Sequence, residues 1–466
     1  MEEKKFYQVN KKVKMLEDDL NKLSKCELIE KIVQLRAHNS QLKNIIEKTN
    51  QTKFLNEKNN RKFDFNKSYK RHVLLKFLYF GWDYQGFASQ EDTTATIEFH
   101  LFRALIKTCL IENRETSNYN RCGRTDKEVS AFCQVISIDL RSKFPEEEQM
   151  TKESLEHEID YCNMLNRVLP NNIKCISWMP LKNKHFSARF DCYERTYKYF
   201  FPKGDLDIER MRSGCKFLVG VHDFRNLCKM DVGNGVVNFV RSIKYADIHA
   251  CQSEHKKDTG YSMYYLKITG KAFLWHQIRC IMSILMLIGE KNEDPSVISE
   301  LLDIEKNPCK PQYGVASGIP LNLYNCEFDV NGLNKKINEN TIVSDSSEKS
   351  LINESSDTEE LSTAQWIYNK ENLTRLIQTI QSEWSIVSIK ATMINEMLQD
   401  LESAYKRNFG SEAINFQAKN LQQGVKQKQY QKIMNRKRCE SLENRVEHYV
   451  KKQRLITTEN KTNSIE

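Results

Sequence analysis

No stretch of this 466-residue chain is apolar for long enough to cross a bilayer. The longest apolar run, Cys280 to Gly289, is ten residues, about half of what a membrane helix requires. The first residues are charged rather than apolar, so no secretory leader is expected, and a soluble protein of the nucleus and cytoplasm follows. Local metal motifs are also missing. Fourteen cysteines are spread out, the closest pair being Cys122 and Cys133; there is no Cys-x-x-Cys, and no histidine stands at the short spacing of a structural zinc site. The expectation is reduced, mostly buried small hydrophobes and no metal. A phosphate-binding Walker loop is absent as well: Gly233-Asn-Gly235 lacks the surrounding motif and reads as a turn.

What is present fits a globular body with appendages. Hydrophobic residues make up 39% of the chain and aromatics 10%, enough to fill a sizeable core. A formal net charge of +9 is compatible with a polyanionic partner without identifying one. In residues 1–49, Val9, Val13, Leu16, Leu20 and Leu23, then Leu28, Ile32, Leu35, Asn39, Leu42 and Ile46, alternate steps of four and three, as a coiled-coil seam requires. Ser24 and Glu27 form a capping box at the phase slip. Residues 50–71 read as a linker.

The body opens at His72–Phe80, an apolar run suited to a buried strand. Ile97, Leu101, Ala104 and Leu105 recur at helical spacing, and Ile136, Ile138 and Leu140 alternate as a half-buried strand does. Further helical faces lie at Ile159–Leu169 and from about Ala272 to Gly289, with an alternating strand at Tyr264–Ile268 between them. Strands and helices interleave throughout, so the fold class is α/β or α+β. Residues 331–363 are polar and acidic and read as a disordered insert. Residues 364–466 form a helical, basic extension containing Asn435-Arg-Lys-Arg438 and Lys451-Lys-Gln-Arg454, a nuclear signal, an RNA contact or simply a solvated charged face.

Between the helix and the strand lies Arg121-Cys-Gly-Arg-Thr-Asp126-Lys-Glu128. Element boundaries often display functional side chains, yet residue types alone equally describe a turn in which Asp126 accepts backbone hydrogen bonds. The wider sequence resembles the eukaryotic members of the tRNA pseudouridine synthase A family. Phe77-Leu-Tyr-Phe-Gly-Trp-Asp-Tyr-Gln-Gly-Phe-Ala-Ser-Gln90 looks like that family's opening strand and turn, and Cys122–Lys127 like its catalytic loop. Leu165-Asn-Arg-Val-Leu-Pro170, Phe186–Phe190 with Glu194-Arg-Thr-Tyr-Lys-Tyr199, Phe273-Leu-Trp-His-Gln-Ile-Arg279 and Ala316-Ser-Gly-Ile-Pro-Leu321 follow in family order. His222–Asp231, Asn307–Tyr313 and Leu442–Tyr449 resemble the branch that modifies uridines 38 and 39 of the tRNA anticodon stem-loop.

The resemblance implies a mixed, mostly antiparallel sheet in two α/β halves, residues 72–200 and 201–330, with the active site in the cleft between them and two chains sharing tRNA. It implies that Asp126 is the catalytic carboxylate. Arg124 and Arg279 would hold its pKa down, Tyr197 would stack on the target base, and Leu321 would be the apolar residue beneath the site. Arg121, Lys127, Arg189, Arg195 and Lys198 are candidate tRNA backbone contacts, chosen by adjacency to the motifs. His222 and His276 are not needed as bases. The reaction moves no electrons, so no cofactor is implied. Glu128 departs from the family, which carries glycine there. With φ > 0 it would strain the loop, and its charge would raise the pKa of Asp126. A tRNA-binding protein of weakened activity is therefore the alternative reading.

Overall fold

A computed structural model describes residues 63–251, 259–329, 365–413, 415–423 and 429–451. The coiled-coil seam, residues 50–62 of the expected linker, the acidic stretch and residues 452–454 of the second basic motif lie outside them; the end of that linker, Tyr69–Arg71, already belongs to the first strand. Nine strands form one sheet: β1 (Tyr69–Tyr79), β2 (Asn120–Arg121), β3 (Ser130–Ser142), β4 (Ile173–Pro180), β5 (Cys192–Pro202), β6 (Gly220–Asp223), β7 (Val240–Ala250), β8 (Met263–Gly270) and β9 (Leu321–Phe328). Their order is β4-β1-β3-β9-β5-β8-β7-β6, with β2 beside β3. Every pairing is antiparallel except β3 with β9, a short parallel contact at Ser130↔Asn322 and Ala131↔Leu323. That contact joins a group built from β4, β1 and β3 to one built from β9, β5, β8, β7 and β6.

The run at His72–Tyr79 is a buried strand, as its continuous apolarity requires. Strand β3 is buried more completely than its alternation suggests. Beside Ile136, Ile138 and Leu140, the opposite parity (Cys133, Val135 and Ser137) is also buried. The polar member is satisfied there, because the Ser137 hydroxyl accepts the Ala188 amide at 3.1 Å.

Helix α1 (Ile97–Lys107) is capped by Thr96, whose hydroxyl accepts the Phe99 amide. Two short helices, α2 (Lys152–His157) and α3 (Tyr161–Asn166), precede β4, and α4 (Ile208–Lys216) follows β5. Helix α5 (Gln277–Gly289) is mostly apolar and all 13 residues are buried, Gln277, Arg279 and Ser283 being its polar members. It begins later than the periodicity implies, because His276 takes a left-handed backbone (φ 57°, ψ 12°) and turns the chain. A short helix, α6 (Val297–Leu302), follows.

Helix α7 (Lys370–Phe409) runs for 40 residues, from Asn369, whose side chain caps it, to left-handed Gly410. Only Asn372 and Leu376 in it are buried. Leu373, Ile377, Ile380, Trp384, Val387, Ala391, Ile394, Leu398, Leu401 and Tyr405 alternate steps of four and three along it and are exposed or half-exposed. Helix α8 (Leu442–Lys451) closes the described chain, its Tyr449 ring lying against Gly233. No helix among the described residues is long and apolar enough to cross a membrane.

Candidate active site

The loop between β2 and β3 is clamped by the segment after β1. The Phe87 amide donates to the Thr125 carbonyl at 3.1 Å and the Glu128 amide to the Tyr84 carbonyl at 3.1 Å, while the loop closes on itself from the Val129 amide to the Asp126 carbonyl at 3.2 Å. Inside, the Tyr79 hydroxyl meets the Thr125 hydroxyl at 2.7 Å, and the Gln134 amide donates to the Gly123 carbonyl at 3.1 Å. Close approach explains two glycines. A Cβ on Gly81 would lie 2.0 Å from the Val129 carbonyl oxygen, and one on Gly318 would lie 2.7 Å from that of Lys127. Glu128 has φ 67°, a left-handed conformation that costs a side-chain-bearing residue roughly 1–2 kcal/mol.

The loop presents Asp126 to a cleft of about 760 Å³, which Arg124, Lys127, Tyr197, Trp275, His276, Arg279, Leu321 and Gln423 also line. Asp126 Oδ2 lies 3.6 Å from His276 Nε2 and 4.0 Å from Arg279 Nη1. Arg279 is itself fixed, donating from Nε to the Ala316 carbonyl at 2.8 Å and from Nη2 to Gln423 Oε1 at 3.3 Å. Burial pushes the Asp126 carboxyl above its ordinary pKa; Arg279, a hydrogen bond from Trp275, Lys229 and Arg124 pull the other way. This corrects the expectation from the sequence. Both arginines do act downward, but burial outweighs them, and Glu128 is not among the main influences. His276 is pushed down to about 4 by burial and by the Arg279, Lys229 and Lys310 charges, so its imidazole is neutral at neutral pH.

Tyr197 is buried in β5, edge-on to Phe273 with centroids 5.3 Å apart, and forms one wall of the cleft. Leu321, the first residue of β9, is buried beneath it. Arg124 and Lys127 are exposed at its edge.

Four other sequence candidates lie elsewhere. Arg195 cannot be a tRNA backbone contact, because it is buried and donates to the carbonyls of Cys192, Lys271, Cys122 and Arg189. Arg121 is paired with buried Glu98. Lys198 lies over the rings of Tyr265 and Tyr324, at 4.5 and 3.7 Å from their centroids. Arg189 is exposed and stacked on Phe190. None of the four lines the cleft. In the first basic motif, Arg436 and Arg438 donate to the carbonyls of Gln431 and Met434 and so are engaged in the fold.

Of His276, Trp275, Lys229 and Gln423, sequence reasoning set the first aside as not needed as a base and did not single out the others. The first three stand inside quoted motifs, and Lys229 is brought in by stacking on Trp275, 4.1 Å from the ring centroid. Gln423 arrives from the C-terminal extension and left no sequence signal. Just beneath the loop, the thiols of Cys122, Cys192 and Cys326 converge, which local spacing could not disclose because strand pairing brings them together.

This sheet and cleft belong to a known class. The chain is a member of the tRNA pseudouridine synthase family, whose model matches residues 215–329 and whose enzymes isomerise uridine to pseudouridine in tRNA. Among its relatives, the tRNA pseudouridine(38/39) synthase of Mus musculus is 42% identical over 453 residues, covering 92% of this chain and 87% of the relative. The Homo sapiens enzyme of the same name is 43% identical over 421 residues, 85% of this chain and 80% of the relative. That of Saccharomyces cerevisiae is 40% identical over 272 residues, covering 58% and 60%.

Proposed function

We propose that this enzyme converts uridines 38 and 39 of the tRNA anticodon stem-loop to pseudouridine, with Asp126 as its catalytic carboxylate. One observation carries the reading. Asp126 lines the same cleft as Tyr197 and Leu321 and lies 4.0 Å from Arg279, in a chain 42% identical, over 92% of its length, to an enzyme named for those two positions.

The cleft suits an extruded nucleotide. Tyr197 and Leu321 offer an aromatic and an aliphatic surface to the uracil, and Arg124 and Lys127 stand at the edge, where the phosphates of a splayed strand would run. In the reaction the N1–C1′ bond breaks, the uracil turns, and a C5–C1′ bond forms; C5 loses a proton, N1 gains one, and no electrons leave. Asp126 acts on the nucleotide by attack or by removing a sugar proton, and either role requires its ionised form. Burial raises its pKa, and Arg279, 4.0 Å from Oδ2, favours the ionised form and orients it. His276 is neutral and adds no competing charge beside Asp126. Glu128 keeps the loop in the conformation that a glycine would adopt there, which favours an active synthase over a weakened tRNA-binding protein.

The enzyme works as a pair of chains. The exposed seam of α7 keeps a heptad spacing over more than four heptads, long enough for a stable coiled coil. Light scattering would give twice the chain mass, reduced to one by Val387→Asp with Ile394→Asp; a monomeric unaltered chain would contradict this.

Positions are tested by chemical mapping of pseudouridine after incubation with unmodified tRNA transcripts. Product at nucleotides 38 and 39, lost when both are cytidine, supports the assignment. Product at other nucleotides instead overturns it.

A further inference from the structure

We propose that Cys122, Cys192 and Cys326, with Cys133 as fourth donor, form a tetrahedral thiolate site for one zinc ion beneath the Asp126 loop.

The geometry comes first. The three sulfurs of Cys122, Cys192 and Cys326 all lie within 4.8 Å of one another, and the Cys122 and Cys326 sulfurs are 3.4 Å apart. Zinc–sulfur bonds of about 2.3 Å at tetrahedral angles set ligand sulfurs about 3.8 Å apart. These three sulfurs therefore already lie close to ligand spacing. The Cys133 thiol packs against that of Cys326, whose sulfur also donates to the Cys133 carbonyl at 3.3 Å; it stands outside the group of three whose sulfurs all lie within 4.8 Å of one another and would turn inward to complete the tetrahedron.

The donors come from separate parts of the sheet. Cys122 follows β2, Cys133 is in β3, Cys192 opens β5 and Cys326 lies near the end of β9. All four are buried, so the dry, closed surroundings of a structural zinc site are already present.

Charge is the second, independent observation. Arg195 is buried directly against this cluster and donates to the carbonyls of Cys122 and Cys192 themselves. Its other acceptors, on Lys271 and Arg189, are neutral carbonyls too. Among the described residues no carboxylate lies within ion-pair distance of it. A guanidinium is always charged, and carbonyls satisfy its hydrogen bonds without balancing its charge. Zinc held by three or four thiolates carries a net charge of −1 or −2 and supplies the missing anion at the right place. On binding, each thiol releases its proton to solvent as its sulfur bonds the metal, and neither sulfur nor zinc changes oxidation state.

A second buried pair shows what ordinary cysteine packing looks like in this chain. Cys162 and Cys175 have sulfurs 3.1 Å apart, yet among the described residues no third donor joins them. The cluster around Cys326 differs in its three converging sulfurs and in its uncompensated cation. Its position gives the metal a consequence: it would tie the root of the Asp126 loop to β5, which carries Tyr197, and to β9, which begins at Leu321. The site is structural, since all its ligands are buried protein sulfurs and no position is open to substrate.

The test uses the full-length chain purified without chelators. Elemental analysis should find about one zinc per chain, and exchange for cobalt should give the visible bands and near-ultraviolet charge transfer of a tetrahedral thiolate complex. Cys192→Ala and Cys326→Ala should each drop zinc below about a tenth per chain, whereas the Cys162→Ala and Cys175→Ala double variant should retain it. Because alanine variants of a buried cluster can misfold, the cobalt spectrum of the unmutated chain stands as the separate readout. A folded, metal-free chain whose cluster thiols react with a thiol reagent on mild denaturation would overturn the proposal. So would an iron–sulfur chromophore, a mass two hydrogens lower from a Cys122–Cys326 disulfide, or a cobalt spectrum of nitrogen and oxygen ligands.

Discussion

Arg195 separates two accounts of the same basic residue, one in which it holds RNA and one in which it holds the protein together. It is buried and donates to four backbone carbonyls, those of Cys192, Lys271, Cys122 and Arg189. Replacement by Met preserves much of the apolar stem but removes the Arg195 donor from all four carbonyls. An unsatisfied buried group costs roughly 1–3 kcal/mol, so four would cost about 4 kcal/mol even at the low end. A domain has a total stability of only about 5–15 kcal/mol, so the variant should sit close to unfolding. In urea titrations followed by circular dichroism, Arg195→Met should lose about 4 kcal/mol, while Arg189→Met, altering an exposed side chain, should stay within about 0.5 kcal/mol. Filter binding at a temperature where the variant is folded should give nearly unchanged tRNA affinity. An Arg195→Met protein of unaltered stability whose tRNA affinity falls tenfold would refute the structural assignment.

The remaining predictions concern the site. Because burial raises the Asp126 pKa and Arg279 opposes it, the rate should fall on acidification at a pH above the ordinary carboxylate range. Arg279→Gln should move that fall to higher pH and Arg279→Lys should partly restore it; single-turnover pH profiles check this, and an unmoved profile contradicts it. Glu128→Gly relieves a left-handed side-chain residue (φ 67°) and should gain roughly 0.5–1 kcal/mol in urea unfolding after the flexibility cost of glycine. A loss of stability would show that the Glu128 side chain is needed. If Tyr197 stacks on the base, Tyr197→Phe should keep most activity, whereas Tyr197→Leu should lower kcat/KM about 10- to 100-fold; equal losses would argue that the hydroxyl matters instead.

Local patterns disclosed the elements more readily than their surroundings. The strand β1 was legible because its apolar run is continuous, and the helical faces of α1 and α5 because they repeat at a fixed period. The full burial of β3 was not, since Ser137 is buried through a hydrogen bond to Ala188 that lies 51 residues away. The late start of α5 depends on the left-handed turn at His276, a conformation that no periodicity records. Motif order singles out Asp126, Tyr197, Arg279 and Leu321, and the sheet brings all four to one cleft. Proximity in sequence did not bring Arg195, Arg121, Lys198 or Arg189 to the cleft: adjacency to a motif says nothing about which face of a strand or turn a side chain leaves from. Long-range pairing hid most from the sequence. Gln423 reaches Arg279 across 144 residues and Cys326 meets Cys122 across 204.

The central claim is that Asp126 performs the chemistry of a uridine-to-pseudouridine isomerisation in this cleft. Its most direct test is chemical mapping of pseudouridine in unmodified tRNA incubated with the unaltered enzyme and with Asp126→Ala, tRNA binding being measured alongside. The account predicts product with the first, none with the second, and comparable binding by both; pseudouridine formed by Asp126→Ala would contradict it.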